Sequence, residues 1–219
     1  MKKMDIVEIP SLKQVVYDEL QQMIIQGELT PGMRLTEEEL SQTMNISRAP
    51  IREALNMLER DGFVKIIPRK GAVVAESSEK DSIDIWKCRL AMEPFAAKEV
   101  CGRIPREKLE KALDHVAALE KEYSFEKYIE SDLEVHELYY TYLDNDYMRS
   151  ILNNLKAHSI RARWLQEREH PDAKTAKQSI REHRIILEAF LREDADAVFQ
   201  AVQEHIQNAA ERLSMKSKS

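Results

Sequence analysis

The segment NISRAPIREAL, residues 45–55, constrains the fold of this chain more than any other stretch. Proline disrupts a helix except in the first turn, where the backbone N–H groups have no helical partner to lose. Ser47 is a favourable N-cap residue, so a helix that begins after it places Pro50 in the first turn. Aliphatic residues then recur at helical spacing on one face, and the helix is expected to end at Gly62.

The residues around this helix predict a small domain. Residues 11–26 carry an apolar stripe at helical spacing, and residues 36–44, TEEELSQTM, open with the pattern of a capping box. After the helix, two β-rich runs at residues 63–67 and 72–75 flank a basic turn at residues 68–71. Three short helices followed by a basic hairpin predict a winged helix-turn-helix.

Two arginines are the first candidates for a function. Arg48 and Arg52 are four residues apart, so both project from the first turns of the helix that a helix-turn-helix inserts into the major groove. The net charge of the chain is −6, so DNA binding must depend on a local patch, and residues 40–75 hold six Lys and Arg against three Asp and Glu. The alternative is that the arginine pair is an ordinary solvated helix face.

The stretch GELTPGMRLTEEELSQTMNISRAPIREALNMLERDGFVKIIPRKGAVV resembles, almost from end to end, the DNA-binding domain of GntR-family bacterial transcriptional regulators. The resemblance implies minor-groove contact from the wing at Lys70 and Gly71, and the neighbouring Arg69 of the basic turn is a further candidate. Glu38 stands where some family members carry a DNA-contacting arginine. The implied contacts of the recognition helix are Ser47, Arg48, Ala49, Pro50 and Arg52.

The rest of the chain is predicted to be helical. We place a domain boundary after residue 76, which gives a DNA-binding domain at residues 1–76 and a helical domain at residues 77–219. No strand pattern follows the boundary, so the second domain is expected to be an antiparallel helical bundle and the whole protein mainly α. The predicted helices, six or seven in number, include residues 80–102, 105–122, 124–143, 147–169, 174–192 and 194–213.

Four polar residues interrupt the apolar faces of these helices. Asp132 and His136 are one turn apart, and His183 and His205 lie on apolar faces of the last two helices. Burying a carboxylate or an imidazole is costly unless the group is paired or bound to a metal. Imidazole and carboxylate ligands suit one divalent transition metal, with zinc and nickel favoured and manganese a third candidate. The alternative is that each histidine is a hydrogen-bonded core residue.

A second resemblance concerns this domain. The segments SDLEVHELYYTYLDN, REHRIILEAFLREDADA and VQEHI are similar to the FCD ligand-binding domain of the FadR subfamily of GntR regulators, although Val135 replaces the usual phenylalanine. The resemblance implies a metal held by the four residues above and a small organic-acid effector bound beside it. It suggests Arg89, Arg161 and Arg163 as effector ligands. An ion pair between Arg89 and Glu93 is the alternative for the first of these.

We therefore expect a transcriptional regulator, not an enzyme, in which a homodimer binds an inverted-repeat operator and an effector acid controls that binding. The alternative is a metal-dependent hydrolytic enzyme fused to a winged-helix module. No apolar run reaches the ~18 residues of a membrane span. Cys88 and Cys101 are too far apart on one predicted helix to form a disulfide within the chain. Both features favour a cytoplasmic protein without membrane association.

Overall fold

A computed structural model describes residues 10–76, 78–169 and 173–216 of the chain. The chain divides into two compact units, Met1–Ser77 and Ser78–Ser219. Within the described ranges, no helix is both long enough and apolar enough to cross a membrane. The described residues are mainly helical, with one small antiparallel sheet in the first unit, so the predicted fold class is confirmed.

The first unit is a winged helix-turn-helix. Its helices are α1 (Leu12–Ile25), α2 (Glu37–Met44) and α3 (Arg48–Arg60). Pro50 lies in the first turn of α3, as the sequence predicts, and Ser47 is the N-cap residue although its side chain makes no capping hydrogen bond. Thr36 caps α2, because its hydroxyl accepts a hydrogen bond from the backbone N–H of Glu39 at 3.2 Å.

The sheet of this unit has three strands in the order β1-β3-β2. The predicted hairpin is present as β2 (Val64–Ile67) and β3 (Gly71–Val74). Strand β1 (Arg34–Leu35) pairs antiparallel with β3 and was not predicted, because the sequence there reads only as a turn. The buried aliphatic side chains of α1, α3 and the sheet form the core, which leaves the first turn of α3 and the tip of the hairpin exposed.

The second unit is a bundle of helices, as predicted, and the described residues contain six of them. The observed ends lie within three residues of the predicted ones, and the largest differences are at the C-terminal ends of the first and last helices. Helix α4 begins with a capping box in which the side chains of Ser78 and Asp81 each bond to the backbone of the other. The six helices are α4 (Glu79–Glu99), α5 (Arg106–Lys121), α6 (Phe125–Thr141), α7 (Asp146–Glu169), α8 (Ala173–Leu191) and α9 (Ala195–Lys216).

Helices α4, α6, α8 and α9 pack against one another in this bundle. Their buried faces are mostly aliphatic and aromatic, as in α8, where Ile180, Ile186, Leu187 and Phe190 are buried. Ionisable side chains on α4, α6, α8 and α9 also lie in this core, and they form the candidate site.

Candidate metal centre and nucleic-acid interface

The four predicted metal ligands come together in the core of the helical unit. Asp132 and His136 project from α6, His183 from α8 and His205 from α9, and none of the four is more than 2% exposed. One potential ligand atom from each residue lies within 4.8 Å of the others. The sequence therefore located a real cluster, although its residues come from three different helices.

Three inward-facing nitrogens of this cluster lack hydrogen-bond partners. The Nε2 atoms of His136, His183 and His205 are buried without such a partner, whereas Asp132 Oδ1 contacts the guanidinium of Arg163. A buried polar atom left without a partner costs about 1–3 kcal/mol, so three of them at one point need an explanation. One carboxylate and three imidazoles are a donor set that suits a divalent transition metal, and these residues therefore fit the metal that the sequence predicts.

Two of the imidazoles are oriented by carboxylates on their outer side. His136 Nδ1 lies 3.1 Å from Glu93 Oε2, and His205 Nδ1 lies 2.8 Å from Glu182 Oε2. Ionised carboxylates only accept hydrogen bonds, so in both rings Nδ1 carries the proton and Nε2 presents its lone pair to the cluster. The Tyr139 hydroxyl contacts His136 Nδ1 and donates to Glu93 at 2.8 Å.

The charges of the cluster favour cation binding. Burial lowers the pKa of His136. Burial also lowers the pKa of His205 to about 3, although the hydrogen bond that His205 donates to Glu182 acts in the opposite direction. Both imidazoles are therefore neutral near pH 7, which is the form that binds metals. Burial raises the pKa of Asp132, but Arg163 and the nearby histidines outweigh burial and hold it well below its usual range.

Of the three predicted effector arginines, Arg163 lies at the cluster. Its guanidinium contacts Asp132 Oδ1 and lies 5.8 Å from the ring centroid of Trp86 and 5.9 Å from that of Tyr128. A cavity opens beside it, and its wall also includes Phe125 and Arg212. An anion that entered this cavity would meet a cation that already forms part of the candidate metal centre.

The other two arginines are placed differently. Arg89 is 1% exposed and pairs with Glu93, which the sequence offered as its alternative role, and its guanidinium stacks on Trp86 at 4.4 Å. Burial raises the pKa of Glu93, but Arg89 and His136 outweigh it and keep this carboxyl ionised. Arg89 thus acts on His136 through Glu93. Arg161 is 2% exposed, and burial lowers its pKa.

The candidate DNA-binding residues of the first unit are grouped on its surface. Ser47, Arg48, Ala49 and Arg52 are exposed around the first turn of α3, and Pro50 is half-buried among them. Arg69 and Lys70 are exposed at the tip of the hairpin, where Arg69 has a φ of 65° and Gly71 a φ of +86°.

Arg48 and Arg52, the predicted DNA-binding arginines, have acidic partners that the sequence did not predict. Arg52 Nε and Nη2 donate to the two carboxylate oxygens of Glu37 at 2.7 Å and 2.6 Å. Arg48 Nη2 lies 3.5 Å from Glu38 Oε2. The two acids belong to the first turn of α2, so this helix contacts the two arginines at the start of α3 that the sequence predicts to bind DNA.

The residues of the helical unit that the sequence did not mark lie on the outer side of the cluster and contact its histidines directly or through one other residue. Glu93 contacts His136 and Glu182 contacts His205, while Arg212 contacts Glu182. In the sequence, each of the three resembles an ordinary charged residue on a helix surface. The only local signal is that Glu182 directly precedes His183.

Comparisons with known proteins agree with this architecture. Residues 12–74 match the family described as "Bacterial regulatory proteins, gntR family", and residues 84–208 match the FCD domain. The HTH-type transcriptional regulator YdhC of Bacillus subtilis, itself named uncharacterized, is 30% identical over 90% of this chain and 88% of its own length. The gluconate operon transcriptional repressor of the same species is 31% identical over 63% of this chain and 58% of its own length. The structure of E. coli McbR/YncC has a similar fold, with a TM-score of 0.80 at 18% identity, and the match covers 95% of this chain and 100% of that one.

Proposed function

Because this chain belongs to the gntR family of bacterial regulators and carries an FCD domain, we propose that a small organic acid, bound beside a metal in the helical unit, controls its binding to DNA. The protein is a DNA-binding transcriptional regulator and not an enzyme. The alternative of a hydrolytic enzyme with a winged-helix module is not supported.

The observation that carries the proposal is the cluster of four inward-facing ligand atoms with an arginine at its carboxylate. Asp132, His136, His183 and His205 hold a zinc or nickel ion in this proposal, and manganese is the third candidate. The ion supplies a positive charge that attracts a carboxylate. Arg163 adds a second cation at the edge of the cavity, and the gluconate operon named for one relative is consistent with an acid effector.

Arg89 and Arg161 have other roles in this proposal. Arg89 forms a buried ion pair with Glu93, and Glu93 contacts the outer nitrogen of His136. Arg89 therefore supports the metal centre and does not contact the effector. Arg161 supplies a buried positive charge on the same helix as Arg163 and contributes to the attraction of an anion into the helical unit.

On the DNA side, we assign major-groove contacts to the first turn of α3 and minor-groove contacts to the hairpin tip. The proposed contacts of the recognition helix are Ser47, Arg48, Ala49, Pro50 and Arg52, and those of the wing are Arg69, Lys70 and Gly71. Regulators of this family bind DNA and typically dimerise, which supports a homodimer on an inverted-repeat operator. Binding to bacterial DNA supports a cytoplasmic location.

The test uses a duplex selected from random sequences by the full-length protein. Binding to this duplex is measured with metal-loaded protein in the presence of a panel of small carboxylic acids. We expect at least one acid to change the affinity for DNA. His183→Ala should abolish metal binding and the response to the acid while leaving DNA affinity in the absence of acid unchanged.

His115→Ala is the matched control, because His115 is exposed and pairs with Glu134 on the outside of the bundle. It should retain both the metal and the response to acid. A wild-type protein that binds DNA but takes up no zinc, nickel or manganese would contradict the metal centre. A full acid response in His183→Ala would contradict the link between the metal and the effector.

A further inference from the structure

Glu182 occupies an unusual position between the cluster and the surface of the bundle. It lies on α8 next to His183, and its side chain is 16% exposed. Within the described part of the chain, its side-chain hydrogen bonds all join it to α9. His205 Nδ1 lies 2.8 Å from Oε2, Asn208 Nδ2 donates to Oε1 at 3.0 Å, and Arg212 donates to Oε1 at 2.6 Å and to Oε2 at 2.9 Å.

This arrangement fixes the state of His205. An ionised carboxylate cannot donate, so the ring must donate from Nδ1 and keep Nε2 free for the cluster. Arg212 donates one hydrogen bond to each oxygen of Glu182, and this two-point contact is the one that an ionised carboxylate makes with a guanidinium. A carboxylate in this position also makes a histidine more basic as a metal ligand.

Arg212 extends this contact to the cavity. Arg212 donates two hydrogen bonds to Glu182, and it also lines the same cavity as Arg163 and Trp86. A bidentate Arg–carboxylate pair sets the orientation of the carboxylate as well as its charge. A residue in the wall of the cavity therefore determines the position of Glu182, which in turn determines the position of a ligand atom of the cluster.

We propose that Glu182 is a positioning residue of the metal centre, and that Arg212 connects it to the wall of the effector cavity. This inference rests on the metal centre of the proposed function. The alternative is a purely structural role, in which Glu182 and Arg212 only form an ion pair that joins α8 to α9. The two readings differ in one respect: only the first requires the affinity for metal to depend on Glu182.

The chain offers a matched control for a purely structural ion pair. Glu120 on α5 receives two hydrogen bonds from Arg184 on α8, so it also forms a bidentate pair between two helices of the bundle. None of the hydrogen bonds described for this pair involves a histidine. Glu120→Ala therefore removes an ion pair of the same kind without touching the metal ligands.

The experiment measures the affinity of metal-stripped, full-length protein for Zn²⁺ in competition with a chromogenic chelator. Loss of an outer carboxylate partner costs about 10–100-fold in metal affinity, and we expect that loss in Glu182→Ala. Arg212→Met should give a smaller loss, although Arg212 contacts none of the ligands. Glu120→Ala should bind Zn²⁺ as tightly as the wild type does. Glu182→Ala that binds Zn²⁺ like the wild type would overturn the inference.

A second measurement covers the case in which Glu182→Ala does not fold. Long-range ¹H–¹⁵N spectra of the wild-type protein without metal report which nitrogen of His205 carries the proton. We expect Nδ1 to be protonated, and a proton on Nε2 would overturn the inference. A wild-type protein that binds no Zn²⁺ would refute the metal centre itself, which separates that failure from a failure of Glu182 alone.

Discussion

The contact between Arg163 and Asp132 predicts an unusual dependence of stability on metal. Asp132 is buried with its carboxylate against Arg163 and with His183 Nε2 at 3.3 Å. Arg163→Met keeps the length and apolar stem of the side chain but removes the charge. In metal-free protein the carboxylate then loses the guanidinium with which it pairs. His136 does not replace that charge, because burial lowers its pKa and it is neutral near pH 7.

The size of the effect follows from the burial of the pair. Removing one partner of a buried ion pair costs about 3–5 kcal/mol. Arg163 keeps 11% of its side chain exposed and His183 remains near the carboxylate, so the lower end, about 3 kcal/mol, is appropriate. For a domain of this size, that loss lowers the melting temperature by about 6–12 °C.

Metal should reverse most of this loss. A divalent ion at the cluster gives Asp132 a new cationic partner, so we expect the cost of Arg163→Met to fall to about 1 kcal/mol in metal-loaded protein. The difference of about 2 kcal/mol must appear as tighter metal binding, roughly thirtyfold, in the variant. The variant should nevertheless respond more weakly to the effector acid, because the second cation is gone.

The assay is urea unfolding of the full-length protein with and without Zn²⁺, followed by the fluorescence of Trp86 and Trp164, which both lie in the second unit. Arg184→Met is the control, because its partner Glu120 is about one-third exposed and such pairs contribute less than about 1 kcal/mol. An equal loss of stability in Arg163→Met with and without Zn²⁺ would refute this reasoning, since it would mean that the metal does not neutralise Asp132.

Three further predictions concern the winged unit and assembly. Arg52→Ala should weaken binding to the selected duplex by roughly ten- to a hundredfold in a fluorescence anisotropy titration, if the side chain reads a base edge; unchanged affinity would contradict that role. Gly71→Ala should lower the free energy of unfolding by about 3 kcal/mol. An alanine is strained at a φ of +86°, and its Cβ would lie 2.9 Å from a backbone oxygen of β1. A Cβ at Gly32 would meet no atom within 4 Å, so Gly32→Ala should cost only the strain of its positive φ, about 1 kcal/mol. Equal losses of stability in the two variants would contradict the steric argument. Residues 78–219 expressed alone should sediment as a dimer, and a monomer at micromolar concentration would contradict the proposed assembly.

The parts of the fold that the sequence predicted are those with local signals. The helices follow from apolar residues at helical spacing, and Pro50 fixed the start of α3 because proline fits only the first turn. Strand β1 has two residues, Arg34 and Leu35, which is too short for any periodicity. It is a strand only because β3 pairs with it, and that pairing joins residues about forty positions apart.

The cluster of Asp132, His136, His183 and His205 could be predicted for a different reason. An aspartate and three histidines stand out on apolar faces, so their types and spacing marked them before the fold was known. Glu93 and Glu182 carry no such mark, since a glutamate on a helix is usually solvated. Their role depends on which residue of another helix they meet, and that follows from the packing of α4 against α6 and of α8 against α9.

The same limit applies to the proposed DNA-binding surface around Glu38. The sequence did not predict that the Glu38 carboxylate lies 3.5 Å from the guanidinium of Arg48. Acidic residues in the first turn stabilise α2 through its helix dipole, but here they also repel phosphate and compete for the recognition arginines. Arg48 must exchange this partner for one on DNA or keep it while bound. In either case α2 contributes acceptors next to the proposed recognition residues. We therefore expect Glu37 and Glu38, as well as the first turn of α3, to affect how this protein reads its operator.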